Sequence, residues 1–185
     1  MFVMPGILAR MAGTVKGAVA LILSVYQSPL GPLAIAARDD VLVAIHLDGD
    51  LTTLSSSLSA AEAISDGLLA APIREGLDAY FAGQLDAIDH LAADPIGTAF
   101  QRRVWTALRN IPAGTTLSYG ALAARIEHPA AVRAVGAANA RNPVPIVIPC
   151  HRVIGANGSL VGYGGGLDRK RWLLAHEGLI PGRLW

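Results

Sequence analysis

The chain has one cysteine, Cys150, among 185 residues. A lone thiol excludes an internal disulfide and suits a reducing compartment, so a cytoplasmic setting is expected. Charged residues are scarce at 16% and aromatics at 5%, while 52% of residues are apolar. That balance excludes general disorder and is enough to bury a core. The five histidines (His46, His90, His128, His151 and His176) are scattered. No Cys or His pair has the spacing of zinc ligands, so neither metal nor cofactor is expected. No apolar run approaches the ~20 residues that a membrane-spanning helix needs.

The amino end, "MFVMPGILARMAGTVKGAVALIL", carries Arg10 and Lys16 ahead of an apolar run, as a signal peptide would. The run is short, lacks a clear cleavage site and flows into strand-like sequence. Residues 1–20 therefore read as an unordered leader.

The formal net charge of +1 conceals a division. Residues 1–94 hold four basic and eleven acidic side chains, a net of −7, and residues 95–185 hold eleven basic and three acidic, a net of +8. A basic half on a nearly neutral chain suits a polyanionic partner, although segregated charge also helps two subdomains dock. The predicted division is 21–94 and 95–185.

In the first half, "VYQSPLGPLAIAARDDVLVAIHLDGD" alternates between apolar and polar residues and breaks at turn signals, predicting antiparallel strands. Residues 58 to 84 favour helix, with Ile73, Leu77, Tyr80 and Phe81 near helical spacing. "LDAIDHLAADPIG" reads as a short strand and linker. In the second half, "TAFQRRVWTALRNIPAG" predicts an amphipathic helix capped by Thr98, with Phe100, Val104, Ala107, Leu108 and Ile111 on one face. Two short helices follow, Ser118 to Ile126 and Ala130 to Ala140, joined by a turn at "EHP". Such a pair in a basic half suggests a helix-turn-helix, though many helical pairs look alike. The second helix is nearly all Ala, Val and Gly, so it can approach a neighbour closely, and Arg133 is a lone long cation on it. The fold class is α+β: an antiparallel-sheet subdomain, then a mostly helical one.

Cys150 ends a stiff, apolar, strand-like run in "NPVPIVIPCHRVIG", with His151 directly after it. A thiol attacks as the thiolate, and an imidazole can help it ionise. Adjacent residues on a strand face opposite ways, so the chain must turn at "PCHR" if the two are to cooperate. The imidazole also needs an acceptor to orient it, and Glu177 in "WLLAHEG" is the best-placed of the few carboxylates. On the residues alone, a nucleophile and an inert buried thiol both remain open.

That block, followed by "GSLVGYGGGLDRKRWLLAHEG" and preceded by "GTAFQRRVWTALRNIPAGTTLSYGALAARI" and "RAVGAANARNP", resembles the O(6)-alkylguanine-DNA alkyltransferases, also called methylated-DNA–protein-cysteine methyltransferases. The resemblance covers roughly residues 96 to 178; the amino half shares the "SPLGPLAIA" opening and the general layout. It implies a ribonuclease H-like amino-terminal subdomain. It implies a single-turnover protein that flips O(6)-alkylguanine, and also O(4)-alkylthymine, out of duplex DNA and keeps the alkyl group on Cys150. His151 would act as base through a water, Glu177 would orient it, Asn142 would hold the turn, and Tyr119 would give a proton toward the guanine. Arg133 would enter the stack in place of the flipped base, with Ala131, Val132, Gly120 and His128 along the DNA. Backbone groups of Cys150 and Val153 would read the guanine, and Tyr163 and Gly164 would line the pocket. Many relatives carry Ser or Ala where Gly164 stands, which bears on pocket width. Some relatives bind zinc in the amino half, but this chain lacks the cysteines. The implied partner is the minor groove of double-stranded DNA, with no membrane and no obligate protein partner. A helix-turn-helix regulator, a non-repair binder of alkyl lesions and a thiol hydrolase are the alternatives.

Overall fold

The computed structural model describes residues 20–58 and 64–179. The leader expected at residues 1–20 thus lies outside the described residues except for its last position. Three antiparallel strands form as the alternation predicts: β1 (Leu21–Ser28), β2 (Gly31–Arg38) and β3 (Val41–His46). Helix α1 (Leu51–Ser57) follows, started by the Asp50 side chain accepting from Thr52 N–H. Two short strands, β4 (Ile64–Asp66) and β5 (Ala92–Ala93), join the edges in parallel, giving the order β4-β1-β2-β3-β5.

Central strand β2 is covered on both faces. Ala34 and Ala36 meet Leu23, Ala44 and Leu54 of α1 on one side, where small side chains let the helix lie close. Leu33, Ile35 and Ala37 face a much larger cluster on the other. That cluster takes in Ile73, Leu77 and Tyr80 of α2 (Ala71–Phe81) and runs without a break into the second half of the chain.

There, α3 (Ala99–Arg109) has the expected Thr98 cap, and Gln101 returns the bond to complete a capping box. Val104, Ala107, Leu108 and Ile111 are buried as the pattern predicts, and so is Trp105, whose indole N–H donates to Ala138 O at 2.9 Å. Helix α4 (Tyr119–Arg125) is capped by Ser118, and α5 (Val132–Ala140) packs against both α3 and α4. Strands β6 (Leu117–Ser118) and β7 (Val153–Ile154) pair in parallel, and α6 (Leu167–His176) closes the described chain. The architecture is α+β. No described helix is long and apolar enough to cross a membrane.

Three expectations are corrected. The helix predicted from 58 to 84 is interrupted. Ile64–Asp66 pair with Leu21–Leu23 as β4, and α2 starts only at Ala71, with Pro at its first turn. Sheet pairing overrides helical propensity there; residues 59–63 of that span lie outside the described residues. The second short helix begins as a 3-10 turn at Pro129–Ala131, and α-helical geometry starts at Val132. The run before Cys150 is no strand but a buried turn with one isolated bridge, Pro145 to Ile148. Its prolines have no N–H to give a ladder.

Candidate active site

The turn at 142–149 is built around Asn142. Its Nδ2 donates to Ile148 O at 2.7 Å and its Oδ1 accepts from Val144 N–H at 3.1 Å. Ile148 N–H closes the loop on Val144 O at 2.9 Å, and β3 reaches it through Ile45 N–H to Pro143 O at 2.8 Å. Between these ties Ile146 sits at φ 76°. A β-branched residue in the left-handed region costs of order 1–3 kcal/mol and persists only where the surroundings fix it.

The turn delivers the chain into a 3-10 turn at Cys150–Arg152. This is the bend that cooperation between Cys150 and His151 requires. Three consecutive residues are buried: Cys150 at 5% exposure, His151 at 0% and Arg152 at 0%. Glu177, the C-cap residue of α6, meets two of them. His151 Nε2 lies 3.0 Å from Glu177 Oε1. Arg152 clamps the same carboxylate, with Nε 2.9 Å from Oε2 and Nη2 2.8 Å from Oε1. Its Nη1 donates to Ile111 O.

The charges follow from these contacts. Burial alone would raise the Glu177 carboxyl, but the hydrogen bonds from His151 and Arg152, together with the Arg152 charge, outweigh it and hold it at about 2. Burial lowers His151 more than Glu177 raises it. The ion pair is therefore Arg152–Glu177, and His151 is neutral, donating Nε2–H to Glu177. Its Nδ1 is then an acceptor, and it has no partner among the described residues. Burial pushes the Cys150 thiol up to about 11, against an Asn142 hydrogen bond and the Lys170 charge, which lower it. At rest the group is a thiol that needs a base.

A cavity of about 300 Å³ opens at Cys150. Asn142, Tyr163 and Gly164 line it, as do Ile45 of β3 and, after that strand, Leu47 and Asp48. Among the described residues Tyr163 OH is buried without a hydrogen bond, as is Oδ1 of Asn139, whose Nδ2 donates to Cys150 O at 3.4 Å. Tyr119 and Val153 do not line this cavity. Tyr119 OH donates weakly to Val161 O at 3.3 Å, and burial first and Cys150 second raise its pKa. Backbone groups of Cys150 and Val153 are engaged within the protein: Cys150 N–H donates to Ile148 O, Val153 N–H to Cys150 O, and Val153 O accepts from Lys170.

Arg133 is exposed on α5 and makes no ion pair or hydrogen bond among the described residues. Val132 beside it is 37% exposed, Gly120 is exposed and Ala131 is half-buried. His128 pairs with Arg103 at 2.8 Å. Gly136 gives α5 a smooth face beside the Tyr119 ring.

Three residues of the site escaped the sequence reading. Arg152 follows His151 directly. Lys170 is fully buried and donates to Val153 O at 2.6 Å and Val161 O at 2.9 Å. Its signal was spacing: Lys170, Leu173, Leu174 and Glu177 repeat at i, i+3, i+4, i+7, which places the lysine on the buried stripe of α6. Tyr80, from the other half of the chain, donates its hydroxyl to Glu177 Oε1 at 2.9 Å. Among the described residues no three His, Cys, Asp or Glu side chains gather to hold a metal ion.

Two family profiles match this chain. The one described as 6-O-methylguanine DNA methyltransferase, DNA binding domain, covers residues 99–179. Its companion, the ribonuclease-like domain, covers residues 21–95. The methylated-DNA–protein-cysteine methyltransferase of Mycolicibacterium paratuberculosis is 51% identical over 151 residues, 82% of this chain and 88% of that protein. The namesake from Salmonella typhimurium is 60% identical over 101 residues, 55% of this chain, and the match spans 59% of that relative's length. Among solved structures, Mycobacterium tuberculosis OGT in complex with DNA superposes with a TM-score of 0.72 at 42% identity, covering 88% of this chain and 97% of that one.

Proposed function

The chain belongs to the 6-O-methylguanine DNA methyltransferase family, and we propose that it repairs O(6)-alkylguanine in duplex DNA by taking the alkyl group onto Cys150. The observation that carries this reading is a sole cysteine buried beside a neutral imidazole that is itself held by an ionised, arginine-clamped carboxylate. The buried thiol lies far from thiolate at rest, so the reaction depends on a base at hand.

His151 takes the Cys150 proton through a water at its free Nδ1, and Glu177 holds the ring in the required tautomer. Sγ then attacks the carbon on O6. The S–C bond forms as the C–O6 bond breaks, and the electron pair stays on the guanine. The base gains a proton by way of Tyr119, so the thiol proton finally rests on the guanine and both side chains return to their starting states. The product is a thioether, and no group at the site can hydrolyse it, so each molecule acts once. O(4)-alkylthymine presents the same alkyl–oxygen bond and is a second substrate.

A base inside a duplex must leave the stack first, at a cost of a few kcal/mol. Arg133 fills the gap, while Ala131, Val132, Gly120 and His128 follow the minor groove, where small side chains permit close approach. Asn142 fixes the turn behind the site, and Tyr163 and Gly164 shape the pocket for the flipped base. Residues 95–185 carry the DNA-binding and acceptor functions, residues 21–94 form the other subdomain, and the protein works in the cytoplasm. Repair must succeed at any sequence, so phosphate contacts lead, and affinity falls with salt at a log–log slope of about −0.9 per phosphate neutralised.

The test is intact mass after incubation with O(6)-methylguanine duplex DNA. A gain of one methyl in place of a hydrogen, stoichiometric and absent in Cys150→Ser, is expected. Turnover without mass gain would support the hydrolase instead, and sequence-selective binding without mass gain the regulator.

A further inference from the structure

The two halves of the chain meet at one oxygen. Glu177 Oε1 accepts from His151 Nε2 at 3.0 Å, from Arg152 Nη2 at 2.8 Å and from Tyr80 OH at 2.9 Å. The first two donors lie in the turn that carries the acceptor cysteine. The third comes from α2, 97 residues away in sequence. Tyr80 is fully buried, and its other end is fastened too, since its backbone carbonyl accepts from His176 Nε2 at 2.8 Å. Its ring meets His176 edge-on at 5.1 Å and Phe81 edge-on at 5.2 Å. One residue of the amino-terminal half thus grips His176 by its backbone and Glu177 by its hydroxyl.

We propose that Tyr80 is a positioning residue for the alkyl acceptor: its hydroxyl draws charge from the Glu177 carboxylate and so keeps His151 a neutral base. The inference rests on the reading of Cys150 as acceptor. Donors that share one oxygen compete, so each weakens the others. A carboxylate bound to His151 alone would pull the ring toward imidazolium, and a protonated ring cannot take the Cys150 proton. Burial raises the Tyr80 phenol far above its ordinary range, with the Glu177 charge adding to it, so the hydroxyl stays a donor.

The groups around the ring divide by sign. Glu177 favours imidazolium, and Arg152 and Lys170 oppose it. Cys150 is neutral as the thiol. Arg152 and His176 flank Tyr80 itself. Because Arg152 grips Glu177 through both Nε and Nη2, the carboxylate keeps its place when the Tyr80 hydroxyl is removed. What changes is its charge toward His151, rather than its position.

The experiment compares the unaltered protein with Tyr80→Phe, which keeps the ring and its packing. Two quantities are read: the NMR resonance of the His151 ring N–H proton, and the pH profile of single-turnover methyl transfer from duplex DNA. In Tyr80→Phe the resonance moves downfield, and the acid limb of the rate moves to higher pH by roughly half a unit, as a more basic imidazole requires. Fluorotyrosine at position 80, a stronger donor of nearly the same shape, moves both the opposite way. Phe81→Leu, in the same aromatic group but without a bond to Glu177, lowers stability and moves neither. A ring resonance unmoved in Tyr80→Phe, or moved as far in Phe81→Leu, overturns the proposal. Failure of the unaltered protein to gain a methyl group would sink the acceptor reading while leaving the resonance comparison to judge Tyr80.

Discussion

Gly165 and Leu47 stand so close that a methyl group on the glycine would collide with Leu47 Cδ1. Leu47 follows β3 in the first half of the chain; Gly165 is the middle of three consecutive glycines beside the acceptor cavity, and both line that cavity. The missing side chain lets the two halves close over the site.

Consecutive glycines should therefore respond differently. Gly165→Ala forces Leu47 or the Tyr163 ring aside and should cost ~1–3 kcal/mol. At Gly164 an added Cβ meets only Ala140 O, at an ordinary 3.7 Å, so Gly164→Ala should stay within about 0.5 kcal/mol of the parent. Urea unfolding of both variants checks this, and equal losses would remove the close-approach argument.

The Glu177 carboxyl is held at about 2 against an ordinary 4.5. Its folded value is depressed, so the unfolded chain binds the proton first. The associated stability is present above about pH 4.5 and is lost as pH falls toward 2. The shift corresponds to an order of 3 kcal/mol. Glu177→Gln leaves Arg152 buried without its counter-charge, which should cost ~3–5 kcal/mol at neutral pH. The same variant should flatten the acid decline. Denaturant unfolding from neutral pH down to about pH 3 reads both, and an unchanged decline in Glu177→Gln would move the effect to another carboxylate.

Lys170 ties β7 to the loop before α6 through the carbonyls of Val153 and Val161. Lys170→Met keeps the length of the stem and removes the donors. The orphaned carbonyl of Val153, which is buried, should cost ~1–3 kcal/mol, whereas exposed Val161 can turn its carbonyl to water. The loss should be local as well as global, with faster amide exchange across residues 155–166. Exchange confined to its original rate there would show that Lys170 is not what holds the loop.

Arg133 has no partner to lose among the described residues, so Arg133→Ala should leave the melting temperature within a degree or so. It should slow methyl transfer from duplex DNA by ~10-fold or more, because the cost of vacating the stack is no longer offset. Transfer from free O(6)-methylguanine, which needs no flipping, should be unchanged. Equal slowing with both substrates would give Arg133 a part in the pocket instead.

Much of this protein was written in short-range pattern. Alternation with turn signals at "SPLGP" and "RDD" determined β1 to β3, because a half-buried strand needs only period two and a break. Thr98 and Ser118 announced α3 and α4, because a cap satisfies orphan N–H groups within its own turn. The sole cysteine beside a histidine and the carboxylate at "HEG" marked the candidate site. Tertiary structure decided what depends on partners far along the chain. Ile64–Asp66 became a strand because β1 offered an open edge. The proline-rich run became a turn because Asn142 and Ile45 supply the bonds that a ladder would have. Arg152, Lys170 and Tyr80 look like ordinary helix or loop residues until folding buries them. A buried charge or hydroxyl must then find a partner, and for Arg152 and Tyr80 that partner is Glu177, a carboxylate that nothing in their own sequence neighbourhood reveals.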